Sequence, residues 1–264
     1  MNKWAVLGLG FISGRHAEAI ARVKDGVALT FDPDVSKGAD FSDWEAMTQS
    51  EKWKKATHVA VCAPNYLHYF LADYAARSGK KVLCEKPLVL NSKLPFRQNV
   101  FTVLQLRHHP LVKKLRKLRR KKVNVSLTVK VKRDQSYWEG WKGDNLKSGG
   151  ILFNLGIHYF DLLIYLLGNK YKVVRSSYSP KLAKGRINFS GSIVDYHIEI
   201  MDTGEGQTRS LVFDGREVEL SQKDNLSYED LHVDVYRAMR NGHGVRVKEA
   251  LKSIQLVERL KGTR

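Results

Sequence analysis

Glu85, Lys86 and Pro87 end the run "KKVLCEKP" (80–87), where an ammonium and a carboxylate follow a Val-Leu pair suited to a buried strand. One reading is a strand end surfacing into water, with Pro87 blocking further pairing. The other places Lys86 beside a ligand, where a lysine accepts the proton of a reacting hydroxyl as the amine or stabilises its oxygen as the ammonium. A second set lies in "GGILFNLGIHYFDLLIYLLG" (149–168), whose pattern is a glycine-opened helix. There Asn154, His158 and Asp161 fall at i, i+4 and i+7 and share one helical face. A single helix histidine is commonly structural, but three polar groups on an apolar helix are costly to bury unsatisfied, which favours a cleft.

A third set is Gly8-x-Gly10-x-x-Ser13 in "WAVLGLGFISGRHAEAIARV" (4–23), between a strand (Trp4 to Leu7) and a helix with Ala17, Ile20 and Ala21 on one side. Gly8 permits the tight turn, and Gly10 lets a pyrophosphate approach the helix N-terminus. Serine replaces the third glycine of the dinucleotide fingerprint. The run "VALTFDPD" (27–34) then reads as a strand ending in Asp32, about twenty residues on, where a carboxylate suits the ribose 2′-hydroxyl of NAD and repels a 2′-phosphate.

These groups need a scaffold, and the patterning supplies one. "HVAVCAPN" (58–65) and "KKVLCEKP" (80–87) are strand-like, and "YLHYFLADYAARSG" (66–79) between them is a helix closed by Gly79. Alternating strands and helices predict an α/β, doubly wound parallel sheet, a Rossmann fold whose ligands gather outside the carboxyl ends of its strands. Asn65, Glu85 and Lys86 stand at such ends. Beyond residue 121 the pattern changes. "VNVSLTVKVK" (123–132) alternates strictly, with Val123, Val125, Leu127, Val129 and Val131 on one face, as in a half-buried antiparallel sheet. "RSLVFDGREVEL" (209–220) is a hairpin turning at Asp214-Gly215, "INFSGSIVDYHIEI" (187–200) adds strand, and 228–244 and then 248–260 are helical in period. The expected organisation is a dinucleotide-binding domain over 1–121 and an α+β domain over 122–264. Two stretches are short for that plan: the one after Asp32, and "LNSKLPFRQN" (90–99), where Pro95 opposes a long crossover helix.

Composition narrows the function classes. A chain of 264 residues with 43% hydrophobic and 27% charged residues reads as soluble and globular. No stretch approaches the roughly 18 uncharged apolar residues of a membrane span, and "MNKWAVLGLGF" runs straight into a strand pattern without a signal-like segment. Cys62 and Cys84 sit in apolar runs, so buried free thiols in a reducing cytoplasm are expected. No Cys or His pair has metal-ligand spacing, since His108-His109 stands alone. The net charge of +18 favours phosphate-bearing partners. Its densest run, "KKLRKLRRKK" (113–122), places Leu111, Leu115 and Leu118 on one stripe, the pattern of a surface helix with a basic outer face. Without interleaved aromatics it does not read as a nucleic-acid arm.

The motifs "GLGFISGRH", "APNYLH", "CEKPLV" and "GGILFNLGIHYFDLL", in that order, resemble the glucose-fructose oxidoreductase/inositol dehydrogenase/rhizopine-catabolism (Gfo/Idh/MocA) family over nearly the whole chain. "LQLRHHP", "WKGD" and "NLGIHYFD" are most similar to its branch of UDP-N-acetylglucosamine-type 3-dehydrogenases, notably the uronic acid form. The resemblance implies oxidation of the C3 hydroxyl of a UDP-sugar by NAD, with Lys86 beside the nicotinamide, His158 as relay or hydrogen-bonding partner and Asn154 positioning the sugar. It assigns Gly8, Gly10, Phe11, Ile12, Asp32, Ala63, Asn65, His68, Glu85 and Lys86 to the cofactor. Arg107, Tyr137, Lys142, Asn154 and His158 go to the substrate. Many members carry Asp where this chain has Asn154, and a neutral amide does not raise the basicity of an imidazole. The resemblance also implies an open-faced, mostly antiparallel C-terminal sheet whose exposed face joins subunits into a dimer or tetramer. Competing readings are a dehydrogenase of a free sugar or cyclitol, a dinucleotide-binding sensor without chemistry, and a polyanion-binding protein.

Overall fold

A computed structural model describes residues 1–117, 122–202, 206–220 and 228–262. Leu118 and Lys121 of the basic run lie outside the described residues. Packing divides the chain into two units.

The first unit comprises Met1–Val89, Lys93–Gln105 and Ser227–Ala250. Its sheet is built from β1 (Lys3–Leu7), β2 (Gly26–Phe31), β3 (His58–Val61), β4 (Lys81–Cys84) and β5 (Val100–Thr102) in the order β2-β1-β3-β4-β5, every pair parallel. The linking helices are α1 (Ser13–Arg22), α2 (Trp44–Gln49), α3 (Glu51–Lys55) and α4 (His68–Arg77). The expected parallel sheet is present, and both short stretches are visible. After β2 a further strand is reduced to a single parallel bridge, Phe31 to Phe41. Residues 85–99 between β4 and β5 contain no helix. The outer side of β5 is covered by later chain: Thr102 N–H donates to Val245 O at 3.0 Å, and Arg246 bridges Phe101.

Two expectations change here. On α1 the buried residues are His16, Ala19 and Ile20, while Ala17 and Ala21 face solvent. The stripe is displaced because His16 finds polar partners in the interior, so it sits on the face that periodicity reserves for apolar side chains. The Tyr228–Arg240 helix joins the first unit, against the expected division at 121/122: its Val233, Val235, Tyr236 and Met239 share a core with Trp4, Val6, Ile20 and Leu83. Arg22 and Asp230 tie it to α1 at 2.7 Å. An exposed sheet face with no crossover helix after β4 requires apolar cover, and this helix supplies it.

The second unit comprises Leu90–Ser92, Leu106–Leu226 and Leu251–Arg264. Its sheet contains β6 (Asn124–Lys132), β7 (Lys172–Tyr178), β8 (Leu182–Phe189), β9 (Ser192–Met201), β10 (Thr208–Phe213) and β11 (Arg216–Glu219). The order is β11-β10-β6-β9-β8-β7, antiparallel except for the parallel β6–β9 pair. Val125, Leu127, Val129 and Val131 are buried on alternate positions, as the period of two requires. The β10–β11 hairpin turns at Asp214 (φ 50°) and Gly215 (φ 77°), the left-handed pair that a tight hairpin needs. After α5 (Pro110–Lys117), α6 (Ser136–Glu139) and α7 (Asn145–Ser148), α8 (Ile157–Leu167) lies against the sheet, reached through a π-helical turn, Leu152–Gly156. A Cβ on Gly156 would lie 2.6 Å from the Phe160 ring and 3.3 Å from Ile198 of β9, so glycine makes room for that ring where the turn meets the sheet. The run Asn145–Leu167 is long and apolar enough to cross a membrane by composition, but most of α8 is buried as the core helix of this unit. In the basic helix Pro110–Lys117, Val112 is the buried apolar residue and Leu111 is 40% exposed. The stripe is thus turned from the expected one, while Lys113, Lys114, Arg116 and Lys117 face solvent as expected.

Candidate functional site

In the first unit the strand ends assemble the features a dinucleotide needs. Gly8, at φ +95°, packs so closely on the chain leaving β3 that an added Cβ would sit 2.8 Å from Ala63 N. At Gly10 an added Cβ would meet nothing within 4 Å, leaving open space over the turn. Ser13, in place of a third glycine, donates its hydroxyl to Gly10 O at 2.7 Å and tightens the turn. No side chain caps α1, and its first turn carries no acid, so an anion would meet bare backbone donors and the positive end of the dipole. Phe11 is 85% exposed beneath the Arg15 guanidinium, whereas Ile12 packs on the core. Asp32 lies just past β2, its Oδ2 accepting from Leu9 N–H at 2.7 Å and its Oδ1 from Asp34 N–H at 3.0 Å. A carboxylate offers about four acceptor sites, so room remains for ribose hydroxyls. These residues fit NAD.

Three expected cofactor ligands are turned inward. His68 is buried, with Nδ1 2.6 Å from Pro87 O and Nε2 2.8 Å from Ala63 O. The buried ring thus lies between the loop after β3 and the loop after β4, and as a neutral imidazole it donates to one of the two carbonyls at a time. Asn65 is also buried, in the 3₁₀ turn that follows β3. Glu85 is 6% exposed, and its Oε1 lies 3.0 Å from His16 Nε2 and 3.4 Å from His232 Nε2. A buried carboxylate needs donors, and these imidazoles supply them. Burial alone would raise the Glu85 pKa, but the hydrogen bonds from the two histidines outweigh it and hold the carboxyl well below its ordinary value. Its Oε2 accepts from Lys86 N–H at 3.1 Å. Lys86 is half-buried at the strand end, and the Lys86–Pro87 peptide is cis.

Sequence reasoning missed His16, His232 and Tyr236. The signal was present: His232 and Tyr236 stand at i and i+4 on a helix otherwise presenting Val233, Val235 and Met239 to the core. The desolvation argument applied to His158 marks this pair equally.

In the second unit Asn154 Nδ2 donates to the Tyr137 phenolic oxygen at 2.6 Å. The Lys142 ammonium and the Arg133 guanidinium each lie 5.4 Å from the Tyr137 ring centroid. The turn that carries Lys142 closes only with glycine, because a Cβ on Gly143 would meet Trp138 O at 2.1 Å. Loss of hydration, and then repulsion from Arg133, lowers the Lys142 pKa; burial raises that of Tyr137. Tyr137, Lys142 and Asn154 thus form one cluster, joined by Arg133, which the sequence reading did not include.

His158 is half-buried in the first turn of α8. Of the three polar residues expected on one face, Asn154 in the π-helical turn and His158 are half-buried, whereas Asp161 is not. Asp161 is instead buried against Arg107, which grips it with Nε at 2.8 Å and Nη2 at 2.7 Å. Arg107 is 7% exposed and neutralises this internal carboxylate.

Comparison with known proteins bears on this geometry. Residues 2–96 match the oxidoreductase-family model described as an NAD-binding Rossmann fold, and residues 121–221 match that family's C-terminal alpha/beta domain. The WlbA (WbpB) dehydrogenase from Thermus thermophilus, solved with NAD and alpha-ketoglutarate, superposes with a TM-score of 0.89 at 31% identity, covering 99% of this chain and 95% of that one. The same dehydrogenase solved with NAD and UDP-GlcNAcA gives 0.86 at 30% identity, covering 97% and 94%. Among curated proteins, an inositol 2-dehydrogenase/D-chiro-inositol 3-dehydrogenase from Lactiplantibacillus plantarum is 24% identical over 78% of this chain. A D-glucoside 3-dehydrogenase from Escherichia coli is 30% identical over 42% of it. The matches span 63% and 35% of those two relatives' own lengths.

Proposed function

Because this chain belongs to the Gfo/Idh/MocA oxidoreductase family and carries its NAD-binding Rossmann domain, we propose that it oxidises the C3 hydroxyl of a UDP-N-acetylhexosamine, or of its uronic acid, to the 3-keto sugar. The observation that carries this reading is the cationic cluster on Tyr137. Arg133 and Lys142 flank one ring and repel each other, an arrangement that an anionic ligand relieves. A sugar nucleotide brings a diphosphate, and a uronic acid adds a carboxylate. The similarity to a dehydrogenase solved with UDP-GlcNAcA supports the same class.

Bound NAD supplies the hydride acceptor. The chain's own groups hold and deprotonate the alcohol. Lys86 takes the hydroxyl proton, and His158 serves as a relay or hydrogen-bonding group. Asn154 and Tyr137 orient the sugar, and Arg133 and Lys142 hold its anionic groups. Asp32 receives the ribose hydroxyls and selects NAD over NADP. The buried free thiols Cys62 and Cys84 suit a reducing cytoplasm, and the exposed face of the second sheet suits a second copy of the chain.

The test is incubation of purified protein with NAD and a panel of UDP-sugars, following reduced-nicotinamide absorbance. Reduction with UDP-GlcNAcA or UDP-GlcNAc is expected. The inositol and glucoside dehydrogenases among the relatives favour a second reading, oxidation of an uncharged cyclitol or sugar. Turnover with those alone would replace the first.

A further inference from the structure

The first unit contains an interior polar cluster for which hydride transfer as described has no use. His16 lies on α1, Glu85 follows β4, and His232 and Tyr236 lie on the Tyr228–Arg240 helix. Their exposures are 0%, 6%, 1% and 2%. His16 Nδ1 is 2.7 Å from the Tyr236 hydroxyl oxygen, and His16 Nε2 is 3.0 Å from Glu85 Oε1. His232 Nε2 lies 3.4 Å from the same oxygen. With Glu85 ionised, one proton arrangement satisfies every bond with neutral imidazoles. The Tyr236 O–H donates to His16 Nδ1, the His16 and His232 Nε2–H groups donate to Oε1, and Lys86 N–H donates to Oε2 at 3.1 Å. The two imidazole donors and the Lys86 N–H converge on one carboxylate, and that carboxylate holds the backbone of Lys86.

We propose that His16, His232 and Tyr236 are positioning residues that act through Glu85 to set where Lys86 sits and at what pH it loses its proton. This rests on the reading of Lys86 as the group that takes the hydroxyl proton. The electrostatics follow from adjacency. An uncompensated carboxylate one residue away would favour the ammonium form of Lys86 and hold it out of service as a base. Two imidazole donors draw that charge inward. The other titratable groups around Glu85 are Cys62 at the end of β3, Cys84 on β4 and His68 on α4, while Asp25 acts on Tyr236. Burial raises both thiols well above their ordinary values, so they stay neutral and leave the imidazoles as the compensating groups.

His16, Glu85 and His232 also bring their ligand atoms within 4.8 Å of one another, a spacing that a metal ion would accept. The hydrogen bonds already use those atoms, so the cluster functions through protons. Chelator treatment is expected to change nothing, and a stoichiometric bound metal needed for activity would overturn the proposal.

The test reads Lys86 directly. NAD-saturated protein is labelled with trace acetic anhydride across a pH series, and the acetylation of Lys86 is followed by mass spectrometry. No sugar is needed, so the readout survives if the substrate assignment fails. In His16→Gln, His232→Leu and Tyr236→Phe the midpoint is expected to rise by about half a pH unit or more, and in Glu85→Gln to fall, as a neighbouring charge of altered strength requires. Tyr236→Phe keeps the ring and loses only the oxygen, so it answers the question if the histidine variants fail to fold. Midpoints equal to the unmutated protein in Tyr236→Phe and Glu85→Gln would overturn the inference. Once a substrate is identified, the alkaline shift should reappear in kcat while the Kd for NAD stays within about threefold, the mark of a group that acts on the chemical step and not on cofactor binding. Retained turnover in Lys86→Ala would instead remove the catalytic reading on which the inference rests.

Discussion

Arg107 and Asp161, fifty-four positions apart, form a bidentate ion pair at 2.8 and 2.7 Å in the interior of the second unit, and Ser253 donates to Asp161 Oδ1 at 2.6 Å. Removing one member strands a buried charge. Arg107→Met or Asp161→Asn is therefore expected to lower the unfolding free energy by about 3–5 kcal/mol in urea titrations. The double variant Arg107→Met/Asp161→Leu should recover most of that loss. A double variant as unstable as the two single changes combined would contradict the pair.

Asp32 sets the cofactor preference. Asp32→Ser removes the charge facing a 2′-phosphate, so the ratio of NAD to NADP affinity should fall about 10- to 100-fold, as for one charge contact. Isothermal titration with both nucleotides measures it, and equal binding of the two by the unmutated protein would sink the assignment.

Lys86→Ala should still bind NAD while hydride transfer drops by roughly two to four orders of magnitude, the range for an acid–base group. His158→Ala should lose less, because Asn154 contributes no carboxylate to raise imidazole basicity. Stopped-flow measurement of nicotinamide reduction separates the two. A larger loss at His158 would reverse the roles.

Arg133→Gln and Lys142→Gln should each raise the Michaelis constant for a UDP-sugar by about tenfold while leaving kcat within about threefold, as expected when binding is equal in ground and transition states. Affinity of the unmutated protein should fall with added salt. The effect should vanish with an uncharged sugar, and an equal loss with both would mean that the cluster only shapes the fold.

His58 reports on acid stability. Burial, then the charge of Lys81, lowers its pKa to about 4. Its ring lies 4.7 Å from that of Trp4. The unfolded chain therefore binds its proton first. This group costs nothing above its ordinary value near 6.5, destabilises progressively as pH falls from there to about 4, and adds a constant penalty below. Urea midpoints of His58→Asn should decline less than those of the unmutated protein across that window. Parallel curves would contradict the assignment.

The sequence by itself determined whatever depends on local periodicity and backbone conformation. The alternation from Val123 to Val131 fixes the buried face of β6 because successive side chains point to opposite sides of a strand. Asp214-Gly215 specifies its hairpin, and Gly8 and Asp32 mark the nucleotide end of the parallel sheet. Only the tertiary structure decided which polar side chains turn inward, since that depends on partners far away in the chain. His16 takes an apolar position on α1 because Glu85 and Tyr236, 69 and 220 residues distant, meet its two ring nitrogens. Arg107 became an internal counter-ion because α8 presents Asp161 to it. Asn154, in the π-helical turn before α8, meets the hydroxyl of Tyr137, seventeen residues back in the chain. A buried polar group is tolerated only where its bonds are completed, and completion is a property of the assembled fold.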